Sequence, residues 1–150
     1  MRVYSVRMDR VSVSTAITIL QIKAGANPLW LLRAWCAQSS LTTIAEQTIQ
    51  INRKSGAATV TAFTPLKVGS DADAAALAVG GTAATGTNAS AEGTDTDVLY
   101  PDSFNILDGW LWLPVEEERI FVPPAGIIGL KFPVAPSAMT VSAGLIFGEL

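Results

Sequence analysis

Asn27–Ser40 reads NPLWLLRAWCAQSS, and whether this stretch winds into a helix or extends as a strand decides the fold class of the whole chain. A helix would have Asn27 as N-cap and Pro28 at its first position. Against it stand two bulky indoles, Trp30 and Trp35, a first turn without an acid, and strand-like segments on both sides. Both alternating sets of side chains are mainly apolar, as in a strand covered on its two faces. The expectation is a strand over Leu29–Gln38, buried on both sides.

The flanks support this. In VYSVRM (residues 3–8) and STAITILQIK (14–23) side chains alternate with period two and form no helical stripe. AEQTIQINRK (45–54) puts Ile49 and Ile51 on one face and Glu46, Thr48, Gln50 and Asn52 on the other. The following KSG then predicts a turn and a hairpin, Ile44–Arg53 returning as Ala57–Phe63. Further on, PPAG separates short strands at Arg119–Val122 and Ile127–Phe132. In the closing MTVSAGLIFGEL, Met139, Val141, Ala143, Leu145 and Phe147 share one face. Thr140, Ser142, Gly144 and Gly148 lie opposite, small enough for another sheet or subunit to approach. Prolines 114, 123, 124, 133 and 136 fall where strands end, because proline cannot donate within a ladder. The predicted fold is all-β, an antiparallel β-sandwich or jelly roll of about eight strands.

A chain of 150 residues suits one domain with a real core, so residues 1–150 are expected to form a single unit. The Ala-, Gly-, Thr- and Asp-rich segment 71–97 is then a long inter-strand excursion, with a short strand or helical turn around Ala74–Val79. Its small side chains are expected to become ordered against neighbouring subunits. Apolar residues make up 49% of the chain and charged residues only 15%, a sparse charge that suggests extensive coverage by partners. The apolar runs are broken by prolines before reaching the ~18 residues of a spanning helix, and the first ten residues lack a signal peptide's apolar core. Synthesis in the cytoplasm without a signal peptide, and no membrane partner, are the expectations. Residues 1–70 carry a net +6 and residues 71–150 a net −9. Such an asymmetry either cancels by interleaving in one fold or complements a neighbouring copy.

The missing residue types restrict the chemistry. Without histidine there is no Ser-His-Asp or Cys-His catalysis and no usual zinc site. The lone Cys36, among large apolar neighbours, reads as a buried structural thiol. No phosphate-cradling glycine motif occurs, and the scattered cations of residues 1–70 form no basic stripe for nucleic acid. No enzymatic activity and no cofactor are expected. Asp71, Asp73, Asp95 and Asp97 read as solvated loop carboxylates, with a weak calcium site as the alternative. The Asn88 sequon is discounted for want of a secretion signal. In GWLWLPVEEER (109–119), Trp110 and Trp112 share a strand face, and such a pair, if exposed, anchors an interface or stacks on sugar. Trp110, Trp112, Leu113, Glu116, Glu117, Glu118 and Arg119 are therefore the candidate partner interface.

Three stretches together, MRVYSVRMDRVSVSTAITILQI, FNILDGWLWLPVEEERIFVPPAGIIGLKFPVAPS and MTVSAGLIFGEL, resemble small proteins encoded in tailed-phage and prophage structural gene clusters. The resemblance implies a virion component, a jelly-roll capsid decoration (cement) protein on the capsid surface, bound to the major capsid protein as a homotrimer. Two other functions fit the same composition: a tail, baseplate or fibre-tip protein that binds a host receptor, and a carbohydrate-binding module.

Overall fold

A computed structural model describes all 150 residues, which form β-strands, connecting turns and no α-helix. The strands are β1 (Arg2–Val13), β2 (Thr18–Lys23), β3 (Leu29–Gln38), β4 (Glu46–Gly56), β5 (Thr59–Ala62), β6 (Leu66–Lys67), β7 (Gly86–Ala91), β8 (Thr94–Asn105), β9 (Trp110–Trp112), β10 (Ile120–Val122), β11 (Ile127–Lys131) and β12 (Met139–Glu149). They make two antiparallel sheets stacked as a sandwich. The first has the order β10-β3-β12-β1-β6, with β9 also on β3; the second has the order β5-β7-β2-β11-β4-β8. Ala34–Cys36 pair with β9 and Leu29–Leu31 with β10, so these two short strands share the edge of β3 that β12 leaves free.

The Leu29–Gln38 strand is present with the expected bounds, but only one of its faces is buried. Its ladder with β12 steps from Arg33 opposite Ile146 to Leu31 opposite Phe147, leaving Leu32 as an extra residue. A bulge of this kind reverses the alternation beyond it. Leu29 and Leu31 therefore point inward on one side of the bulge, and Ala34 and Cys36 on the other. The double apolar alternation comes from that change of phase and does not mean burial on two faces. Strand β1 bulges similarly at Asp9–Arg10, where Arg10 adopts a φ of 49° and donates its N–H to Ser142 Oγ at 3.0 Å. Tyr4, Val6 and Met8 before that bulge and Val13 after it all reach the core. Met139, Val141, Ala143, Leu145 and Phe147 of β12 meet them there, as their spacing predicts.

The expected 44–53/57–63 hairpin does not form. Strand β4 runs through the turn signal to Gly56 and pairs with β8 and β11, while β5 pairs with β7 at the far edge. Lys54 explains the failure. Its side chain is buried against Glu92 and Asp95, which holds KSG extended.

Segment 71–97 is not one loop. Residues 86–91 and 94–97 belong to β7 and β8, and 74–79 form neither strand nor helical turn. The irregular part is tied down by contacts within the chain itself. The buried Glu149 carboxylate accepts the N–H groups of Leu77 and Ala78 at 2.9 and 2.8 Å. Tyr4 Oη donates to the Ala74 carbonyl at 2.9 Å, and the Val79 N–H donates to Lys23 at 2.9 Å. The Leu77 carbonyl passes so close to Gly25 that a Cβ there would lie 2.0 Å from it. The insertion β5–β7 extends both sheets on the β1/β2 side of the sandwich. On the opposite side, Trp110 and Trp112 fill the gap between β9 and β8. Trp110 Nε1 donates to Asp102 at 2.8 Å, and Trp112 meets Tyr100 edge-on at 5.9 Å.

Candidate interaction face

Two features outside the core carry unusual chemistry: the outer face of the first sheet and a cluster of charges on the second. On the first sheet, β3 and β12 place Trp30 beside Gly148 and Trp35 beside Gly144. A Cβ on Gly144 would lie 2.0 Å from the Trp35 ring, and one on Gly148 would lie 2.3 Å from the Met1 sulfur. Gly144 and Gly148 of β12 are thus covered by the chain's own Trp35 and Met1, while Thr140 and Ser142 stay half-buried. The Arg33 guanidinium stacks over Trp35 at 5.5 Å, and Trp30 meets Phe121 of β10 edge-on at 5.0 Å. Leu111 lies opposite Trp35 in the ladder. The result is a half-exposed aromatic surface, framed by Leu111, Leu113 and Phe121, with Arg7, Arg33 and Asp9 as charges on the same face, Asp9 accepting from Ser142 Oγ at 3.3 Å.

The chain that follows β9 rims this face. Leu113 (67% exposed) and Val115 lead into a single 3-10 turn, Glu116–Glu118. A cleft of about 290 Å³ opens there, lined by Met1, Trp30, Glu116, Arg119 and Leu150. Glu116 and Arg119 pair across it at 3.4 Å. Of the candidate interface residues, the structure therefore brings Glu116 and Arg119 together with Trp30 and leaves Leu113, Glu117 and Glu118 exposed on the rim. Trp110 and Trp112 are different. They are 7% and 5% exposed, with their rings inside the sandwich, so they provide neither a protruding anchor nor a sugar-stacking platform. Alternation in β9 puts Leu111 outward in their place. Sequence reading missed Trp30, Trp35, Arg33 and Phe121, because the Leu32 bulge conceals which residues of β3 face out.

The charge cluster joins both halves of the chain. Lys54 Nζ sits 2.7 Å from Glu92 and 2.6 Å from Asp95, and Lys131 Nζ sits 2.7 Å from Asp95. Thr18 adds its hydroxyl at 2.6 Å and its backbone N–H at 2.8 Å to the Glu92 carboxylate. Burial by itself raises the Glu92 carboxyl, but the hydrogen bonds from Lys54, Thr18 and Gly93 outweigh it and bring the group down to about 2. Asp95 is likewise lowered: its burial is overcome by hydrogen bonds from Lys131 and Lys54. Lys131 is raised, burial again being outweighed, here by Asp95 and Glu92. Asp95 is thus a paired acid within a strand, contrary to the expectation of a solvated loop carboxylate. No three His, Cys, Asp or Glu side chains come together as a metal-ligand group. Beside the cluster, Asn52 is fully buried, and neither its amide nitrogen nor its oxygen has a partner. Burial pushes the Cys36 thiol up to about 12, leaving almost no thiolate at neutral pH.

Comparison with protein-family models, curated proteins and solved structures finds no match to this chain.

Proposed function

We propose that this chain is a non-enzymatic virion structural protein, a jelly-roll capsid decoration protein that binds the outer surface of an assembled phage head and stabilises its capsomer contacts. The observation that carries this proposal is the outer face of the first sheet, where Trp30, Trp35, Leu111, Leu113 and Phe121 remain partly or largely open to solvent. Exposed aromatic and aliphatic side chains gathered on one face, interleaved with arginine, are a characteristic of interaction sites. The strand order supports the jelly-roll part. In one sheet β10-β3-β12-β1 are neighbours and in the other β2-β11-β4-β8, and the chain passes between the sheets as two interlocked Greek keys would. Viral capsid proteins use that architecture, and so do lectins and cupins, so the function rests on the surface and on the sequence resemblance.

Binding to heads that lack the protein is the test. Purified chain is expected to co-sediment with expanded heads, and Leu111→Ser combined with Leu113→Ser, at side chains 54% and 67% exposed, is expected to abolish this while the chain stays folded by circular dichroism. Failure of the unaltered chain to bind, or full binding by the double variant, would contradict the proposal.

A further inference from the structure

We infer that a cavity at one end of the sandwich, between the start of β4 and the β11–β12 loop, binds an alkylammonium group. The site goes beyond the proposed function, because none of its lining residues belongs to the aromatic face of the first sheet. Thr48 of β4 lies opposite Ser103 of β8 in the ladder, and residues 134–137 of the loop close over this pair of strands. The enclosed volume is about 320 Å³. At ~30 Å³ per water that is room for roughly ten water-sized groups. Leu41, Ile106 and Met139 form an apolar wall, the last two being part of the core. The remaining wall is polar, and no lysine or arginine contributes to it.

The polar atoms of that wall decide the sign of the ligand. Gln47 is only 6% exposed and spends both amide hydrogens within the chain, on the Thr48 carbonyl at 3.0 Å and the Val134 carbonyl at 2.9 Å. Its Oε1 accepts no hydrogen bond, so Gln47 offers the cavity an acceptor and no donor. The Thr48 hydroxyl oxygen is buried without any partner, a cost that a bound donor would remove. Glu46, exposed where the cavity opens, adds a carboxylate, which can only accept. An anion would meet Glu46 with no fixed donor to offset it. An alcohol brings one hydrogen to this set of acceptors, whereas an ammonium brings three, and its hydrogen bonds are charge-assisted. An aliphatic body on that ammonium covers Leu41, Ile106 and Met139, which removes their apolar surface from water.

Titration of the full chain with n-hexylammonium, 1-hexanol and hexanoate, followed by backbone amide NMR shifts, tests the inference with probes of one length and three charges. Hexylammonium is expected to shift the amides of Gln47, Thr48, Ser103 and Ser137 saturably and to bind about fivefold more tightly than hexanol, with no binding of hexanoate. Glu46→Gln, at an exposed position, is expected to bring hexylammonium down to the affinity of hexanol. Thr48→Val is expected to weaken hexylammonium binding about fivefold, through the loss of one hydrogen bond. Nα-acetyl-lysine methylamide distinguishes two carriers of the group: binding as tight as that of hexylammonium assigns the cavity to a lysine side chain of another protein, and weaker binding assigns it to a free amine. No saturable shift with hexylammonium, shifts that map to another part of the chain, or equal binding of hexanol or hexanoate would overturn the inference. Undiminished binding of hexylammonium by Glu46→Gln would overturn it as well, and that variant decides the matter if Thr48→Val fails to fold.

Discussion

Glu149→Gln tests how the Ala-rich excursion is held. In the native chain the Glu149 carboxylate accepts two backbone N–H groups, from Leu77 at 2.9 Å and Ala78 at 2.8 Å, and its side chain is buried. Hydrogen bonds to a charged acceptor are worth about 1.5–3 kcal/mol each, and a buried donor left unpaired costs about 1–3 kcal/mol. Glutamine keeps one neutral carbonyl acceptor and turns an NH₂ group toward the second N–H. One bond is weakened and the other is lost, so the anchor should give up about 2–3 kcal/mol. If the segment opens locally, this corresponds to roughly a 30-fold to 160-fold rise in its opening constant, with the core strands unaffected. Amide hydrogen exchange read at single residues is the assay. Leu77, Ala78 and Val79 are expected to exchange faster by that factor, while amides of β3 and β12 keep their protection. Unchanged exchange at residues 77–79 would refute the assignment of this anchor. Uniformly faster exchange throughout the chain would refute its local character.

Three further outcomes follow from the second sheet and from Gly144. The Glu92 carboxyl titrates lower in the folded chain than in the unfolded one, so its contribution to stability is complete above about pH 4.5 and is lost as pH falls toward about 2. The shift corresponds to about 3 kcal/mol; with 28% of the side chain exposed, screening leaves about 1.5 kcal/mol, which acid unfolding of Glu92→Gln against the parent should reveal as a flattened pH dependence. Asn52→Leu removes two unpaired buried polar atoms and is expected to raise stability by about 1 kcal/mol in urea denaturation; a loss would mean that a bound water satisfies the amide. Gly144→Ala drives a methyl group into the Trp35 ring, and the expected result is a loss of about 1–3 kcal/mol with red-shifted tryptophan emission as the indole is lifted off the sheet.

The fold class was legible because period-two alternation survives in most strands, and the bounds of Leu29–Gln38 could be read from its flanks. Sequence reading failed where long-range contacts override local signals. The KSG turn signal at 54–56 is overridden by Lys54, whose carboxylate partners lie some forty residues later, in a stretch that reads as loop. Alternation in β3 is broken by a bulge visible only against β12. That same bulge conceals the aromatic surface, whereas the spacing of Trp110 and Trp112 is conspicuous although their rings close the side of the sandwich between β9 and β8. The rim residues Leu113 and Glu116–Glu118 were recognisable because consecutive acids after an apolar segment stay in solvent wherever the fold places them. The opposite charges of the two halves partly cancel within the domain, as Lys54 of the first half pairs with Glu92 and Asp95 of the second.

The most direct test of the proposed function is a cryo-electron-microscopy reconstruction of the particle assembled by the genome that encodes this chain. The predicted result is density for the β-sandwich repeated over the outer surface of the head, with the Trp30–Trp35 face of the first sheet buried against the shell. A sandwich found only at the tail or fibre tip, or one on the head with that face turned to solvent, would contradict it.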